Sequence, residues 1–228
     1  MTNLRVSTGN RKERLVTVEV KICGITDEEA MEAAIEAGVD HVGLVFYPKS
    51  PRAVTPEQAT ELLSYLERPV SRVGLLVDPD DALLDAVVGG VRLDLLQLHG
   101  NESPERVEAI RLEYGVPVMK MIPLAGPDDL AAAEAYIGVA DRLLFDARPP
   151  KTATLPGGNA VSFDWTLLTG RRWPLPWFLA GGLTPANVAE AIRVSGAKAV
   201  DVSSGVETAP GRKSPELIRA FIAAARGA

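Results

Sequence analysis

Short apolar runs alternate along the whole chain with stretches whose apolar positions recur at helical spacing, and turn-forming residues separate them. Val18 to Cys23 (VEVKIC) reads as a first strand. Asp27 to Ala37 follows as a helix, with Ala30, Ala33, Ala34 and Ala37 on one face and Gly38 at the C-cap. Strand two is His41 to Phe46. After the loop YPKSPRAV, Thr55-Pro56-Glu57 opens a helix with a cap and a proline in its first turn. Strand three is Arg72 to Val77, followed by a helix from near Asp80 to Val88. Strand four is Leu93 to Leu98, ending in His99-Gly100, and Ser103-Pro104-Glu105 starts the next helix. Strand five is Val116 to Met121, with a helix from Pro127 to about Tyr136. Strand six is Arg142 to Phe145, ending on Asp146. The loop ARPPKTATLPGGNAVS comes next, and a loop of that length inside a compact domain is usually functional or disordered. Phe163 to Leu168 makes a short helix. Strand seven is Trp177 to Ala180, with a helix from Pro185 to Val194. Strand eight is Ala199 to Val202, and a last helix spans Pro215 to Ala225.

Crossovers of this length imply parallel strands. Eight strand–helix units without a break in composition close naturally into a single-domain α/β (β/α)8 barrel, a TIM barrel. A doubly wound open sheet is the alternative, but Gly24-Ile25-Thr26 after strand one is no GxGxxG fingerprint.

Composition narrows the class. The 228 residues are 46% hydrophobic and 24% charged with a net charge of -6, against the clustered Lys and Arg of a nucleic-acid or anionic-membrane surface. One cysteine allows no intrachain disulfide and fits a cytoplasmic location. No apolar run approaches the roughly 18 residues of a membrane span. The polar stretch from Met1 to Leu15 reads as a disordered extension rather than a secretory signal, with the barrel domain occupying 16–228.

In such a barrel the chemistry lies at the C-terminal strand ends. The polar residues there are Cys23, His99, Asp146 and Asp201, with Lys120 near an end. Parity adds a second filter. Val20, Ile22, Leu143, Phe145, Val200 and Val202 have the helix-facing parity, which turns Lys21, Cys23, Asp146 and Asp201 into the barrel. Taken alone, Cys23 also reads as a small buried hydrophobe, the aspartates as caps, Lys21 as an ion-pair partner, and His99-Gly100 as a turn. Their convergence on one mouth favours a site. A phosphate cradle is a separate signal. Gly181-Gly182 permit close backbone approach before a helix opened by Thr184-Pro185, and Ser203-Ser204-Gly205 offers hydroxyls and backbone donors after strand eight. Gly157-Gly158 in the loop after strand six can join it. No metal ligand set, dinucleotide motif, P-loop or nucleophile elbow is present.

The segments VKICGIT, GLVFYPKSPR, LLQLHG, FDA, LAGGL and VDVSSGVE, in this order, resemble the phosphoribosylanthranilate isomerase family of tryptophan biosynthesis, from about Val18 to the C-terminus. One departure is Ala160, where family members often carry a glycine after the Gly157-Gly158 pair. The resemblance implies an Amadori rearrangement of N-(5-phosphoribosyl)anthranilate to the 1-deoxyribulose product. It implies Cys23 as general base, Asp146 as general acid and Arg52 of FYPKSPR as the holder of the anthranilate. Gly181, Gly182, Ser203, Ser204 and Gly205, joined by Gly157 and Gly158, would hold the phosphate, while Asp201 and Lys21 join the substrate-binding set as inward neighbours of Cys23. No cofactor is implied, because the substrate nitrogen is the electron sink. A thiolate base requires a thiol pKa brought near neutrality by nearby cations. The partner expected is a small phosphosugar, with no nucleic acid or membrane, for a monomer or homodimer. Two alternatives stay open: the related isomerase of histidine biosynthesis, which needs two phosphate sites and an aspartate at the first strand end, and an inactive barrel used for binding.

Overall fold

A computed structural model describes residues 17–66, 69–149, 157–158 and 162–228. The expected N-terminal extension and Ala160 lie outside the described residues. The strands are β1 (Glu19–Cys23), β2 (His41–Val45), β3 (Ser71–Leu76), β4 (Leu95–Leu98), β5 (Val118–Leu124), β6 (Arg142–Ala147), β7 (Trp177–Leu179) and β8 (Ala199–Val202). All eight pair in parallel in chain order, and β1 pairs with β8 to close the barrel.

Capping side chains set the helix starts. Asp27 accepts from Ala30 N before α1 (Glu28–Glu36), and Thr55 forms a capping box with Gln58 before α2 (Pro56–Leu63). Asp80, Ser103 and Ser214 cap α3 (Asp81–Gly90), α4 (Pro104–Tyr114) and α7 (Pro215–Arg226) in the same way. Two apolar layers result, as parity requires. The larger lies between strands and helices and contains Val20, Ile22, Leu143, Phe145, Val200 and Val202. The smaller fills the barrel axis with Val73, Leu95, Met119, Leu144, Phe178 and Ala199.

Several elements differ from the expectation. Strand five starts at Val118 rather than Val116, since Pro117 has no N–H for the ladder. β6 runs on to Ala147, which pairs with Leu124, so Asp146 lies inside the strand. The expected Pro127–Tyr136 helix is a 3-10 turn (Pro127–Asp129) leading into the short α5 (Leu130–Glu134), because Asp129 turns back to accept from Ala125 N and Gly126 N. Phe163 to Leu168 becomes a 3-10 turn over Trp165–Leu168. Helix α6 is Val188–Ser195, not a helix from Pro185. Asn187 accepts from Thr184 N at 2.7 Å and donates to Gly182 O at 3.0 Å, which holds Thr184–Asn187 in a turn. One hairpin follows β8 that no alternating sequence pattern announced: β9 (Glu207–Ala209) pairs antiparallel with β10 (Arg212–Lys213).

Candidate active site

β1 and β8 lie side by side with Lys21 opposite Asp201. Their inward parity lets the buried Lys21 ammonium donate to Asp201 Oδ1 at 2.8 Å. Cys23, two residues higher on the same face, is buried as well. Burial pushes the Cys23 thiol above its ordinary pKa. The Lys21 ammonium beside it pulls the other way, the Asp201 carboxylate pushes it further up, and the balance stays raised. Cations do therefore reach the thiol, but they do not outweigh its burial, so the lowering that a ready thiolate would require is not met. For Lys21, burial pulls the pKa down, and the attractions of Asp201 and Cys23 outweigh it and leave it raised. The ammonium thus serves Asp201 first and the thiol second.

Asp146 projects into the same mouth from β6. Its Oδ1 accepts from Ala147 N at 2.7 Å, and its Oδ2 lies 3.4 Å from His99 Nε2. Gln97 Nε2 lies 2.8 Å from His99 Nδ1. The amide donates there, so Nδ1 accepts and the ring proton sits on Nε2, facing Asp146. Gln97 was missed in the sequence although its position, two before His99 on β4, is inward.

Arg52, in the loop after β2, is buried and holds Glu207 of β9 in a two-pronged pair, Nε to Oε1 at 2.7 Å and Nη2 to Oε2 at 2.8 Å. The ion pair therefore ties the loop after β2 to the hairpin that follows β8. Glu207 and Lys213 also escaped the sequence analysis.

A hollow is bounded by Cys23, Arg52, His99, Asp146, Asp201 and Ser203, among others. It adjoins a second, since Asp146, Gly157, Gly158, Asp201 and Ser203 border both. The second is walled by the expected cradle residues Gly181, Gly182, Ser203, Ser204 and Gly205. Close packing of the two loops demands glycine here. A Cβ on Gly205 would lie 1.8 Å from Leu183 O, and Gly181, at φ +85, would bring one to 2.6 Å from Ala147 N. Every sequence-derived site residue thus borders one of the two hollows except Lys21, which lies beneath them, and Lys120, which is buried in an ion pair with Glu102 at 2.7 Å. The arrangement offers a thiol, a carboxyl and a guanidinium around one space, and a polar backbone cradle at its end. Among the described residues, no group of His, Cys, Asp and Glu is arranged to hold a metal ion.

A family model described as N-(5'-phosphoribosyl)anthranilate (PRA) isomerase matches residues 20–224. An N-(5'-phosphoribosyl)anthranilate isomerase of Paramagnetospirillum magneticum is 71% identical over 210 residues, which is 92% of this chain and 98% of the relative. That of Rhodospirillum rubrum is 61% identical over 211 residues, 91% of this chain and 97% of the relative. Among solved structures, the phosphoribosyl anthranilate isomerase of Thermotoga maritima superposes with a TM-score of 0.83 at 38% identity, over 92% of this chain and all (100%) of that one. A phosphoribosyl anthranilate isomerase in complex with reduced 1-(o-carboxyphenylamino)-1-deoxyribulose 5-phosphate superposes with a TM-score of 0.78 at 37% identity, over 92% of this chain and 100% of that one.

Proposed function

The chain belongs to the N-(5'-phosphoribosyl)anthranilate isomerase family and is an isomerase of tryptophan biosynthesis, and we propose that Cys23 and Asp146 are the groups that carry its Amadori rearrangement. The observation that supports this most directly is their convergence, from β1 and β6, on a hollow that adjoins the Gly/Ser cradle. Phosphate in that cradle and the aromatic carboxylate near Arg52 leave the ribose between the thiol and the carboxyl.

In the first step a proton from Asp146 passes to the furanose oxygen. The C1′–O bond breaks towards that oxygen, which becomes a hydroxyl, and the anthranilate nitrogen lone pair forms the iminium. In the second step Cys23 takes the proton from C2′. The electron pair of that bond forms the C1′=C2′ double bond, and the C1′=N pair returns to the nitrogen and neutralises it, giving an enolamine. Loss of the C2′ hydroxyl proton and protonation of C1′ complete the aminoketone, with no net change in atoms or electrons. His99, with its Nε2 3.4 Å from Asp146 Oδ2, helps to hold the carboxyl in place for the transfer to the ring oxygen. Beneath the thiol, the Lys21 ammonium favours the thiolate that must take the C2′ proton, and the Asp201 carboxylate opposes it. We place the enzyme in the cytoplasm. Its single cysteine fits a reducing compartment, and no described helix is long and apolar enough to cross a membrane.

The test is the rate at which the fluorescence of phosphoribosylanthranilate is lost with wild-type protein and with Cys23→Ser. Near neutral pH a hydroxyl is a far weaker base than a thiolate, so the variant folds and loses most of its activity. A Ser variant within a few-fold of wild type removes Cys23 from the mechanism.

A further inference from the structure

Arg52 and Ser203 are joined across the rim by Glu207 and Lys213, two residues that the reaction as derived leaves unused. Glu207 accepts four hydrogen bonds. Arg52 supplies two, Lys213 Nζ donates to Oε1 at 2.7 Å, and Gly211 N donates to Oε2 at 3.3 Å. Lys213 Nζ also reaches Ser203 O at 3.0 Å and Ser203 Oγ at 3.3 Å. All three charged side chains are nearly excluded from water, at 7% exposure for Arg52, 4% for Glu207 and 0% for Lys213.

Charge counting gives this cluster a direction. Two buried cations share one carboxylate, which leaves one positive charge without an acidic partner in the cluster, and a buried charge without a partner is costly. Geometry says where a counter-charge fits. The Nε and Nη2 side of Arg52 is taken up by Glu207, and no described residue accepts from Nη1. That nitrogen faces Gly158 at the border of the two hollows, where a Cβ would lie 2.7 Å from it. A guanidinium gripped along its side can present its end to a second carboxylate. It is otherwise a long flexible side chain, with several rotamers to lose on binding.

We propose that Glu207 is a positioning residue that aims the free end of Arg52 at the substrate carboxylate, with Lys213 supplying the second positive charge that leaves the cluster needing an anion. This rests on the reading of Arg52 as the holder of the anthranilate. The hairpin β9–β10 thereby takes part in recognition of the aromatic end, although it grows from the strand whose loop forms the phosphate cradle.

The experiment measures kcat and KM for phosphoribosylanthranilate, and inhibition by inorganic phosphate, in Glu207→Gln, Arg52→Ala and the double variant. Gln keeps the size of Glu but releases both cations. We expect KM to rise about tenfold or more in Glu207→Gln, with kcat changed only a few-fold and phosphate inhibition not weakened. The double variant matches Arg52→Ala alone, because Glu207 acts through Arg52. Glu207→Asp, which keeps the charge on a shorter arm, gives a smaller rise in KM and serves as the test should Gln prevent folding. Four results overturn the proposal: an unchanged KM in both Glu207 variants, effects that multiply in the double variant, phosphate inhibition weakened as strongly as substrate use, or a fall confined to kcat. If Arg52→Ala itself leaves KM unchanged, the reading of Arg52 fails, and Glu207 has nothing to position. If only the Glu207 variants are silent, the reading of Arg52 stands without it.

Discussion

Cys23 lies in a place that makes thiolate hard to form. The raised thiol pKa has a kinetic consequence, since the base is competent only once its proton has left. A group with a raised pKa loses its proton later as pH rises, so kcat/KM climbs with pH through the neutral range and levels only above the ordinary thiol value of about 8.5. Lys21 opposes the rise, and Lys21→Met moves this limb to still higher pH. A pH profile of kcat/KM that is flat between about pH 6 and 9 rules out a thiol with a raised pKa as the base. Asp146 is tested by a change of one atom. Asp146→Asn keeps the size of the side chain and an oxygen for Ala147 N, but it cannot supply a proton. We expect kcat to fall by about 10² to 10⁴, the usual scale for an acid–base group. A change in KM alone would make Asp146 a binding residue and leave the ring oxygen in need of another acid.

Elements bring these residues together with unequal clarity in the sequence. Strand-end chemistry was legible, because an apolar run that stops on Cys, His or Asp announces both the end and the parity. Asp146 and Asp201 were placed by that rule alone. Contacts between loops were not legible. Arg52 and Glu207 are 155 positions apart and meet only because β1 carries β2 and β8 on its two sides and a hairpin follows β8. Nothing in the spacing of either residue encodes that register. The hairpin had a local signal, the turn Pro210-Gly211 between two short polar runs, but no apolar alternation to mark it as strand. The cradle lies between these cases. Its glycines were visible, yet the helix after Thr184 starts three residues later than the cap pattern suggests, because the Asn187 side chain ties the turn to Gly182. The cradle's shape therefore rests on loop packing more than on a helix end. Gly205→Ala tests this. A methyl placed 1.8 Å from Leu183 O forces the β7 and β8 loops apart. We expect inhibition by inorganic phosphate to weaken about tenfold or more, with KM for the substrate rising in parallel. An unchanged inhibition constant would move the phosphate to another part of the rim.

At the scale of the whole molecule, the barrel is closed by joining the first strand to the last. Lys21 and Asp201 are 180 positions apart and form a buried ion pair across that seam. An ion pair so placed contributes little net stability over an apolar pair of the same volume, because both charges lose their water. Removing one partner is different, since it strands the other charge in the barrel. Burial weighs on the charged form of Lys21, and Asp201 is the attraction that chiefly offsets it. We therefore expect Lys21→Met to lower the unfolding free energy by about 3 to 5 kcal/mol, read from urea melts at neutral pH. Combining it with Asp201→Leu recovers much of that loss, because no charge is then left without a partner. Activity does not return with stability, since the double variant leaves Cys23 without the ammonium beneath it. The two readouts separate the roles of the pair. A Lys21→Met protein as stable as wild type would mean that water or a shifted side chain already satisfies Asp201, and the seam would then be held by its backbone ladder alone. A double variant regaining both stability and activity would confine the pair to closing the barrel, and Cys23 would have to work without its neighbour's charge.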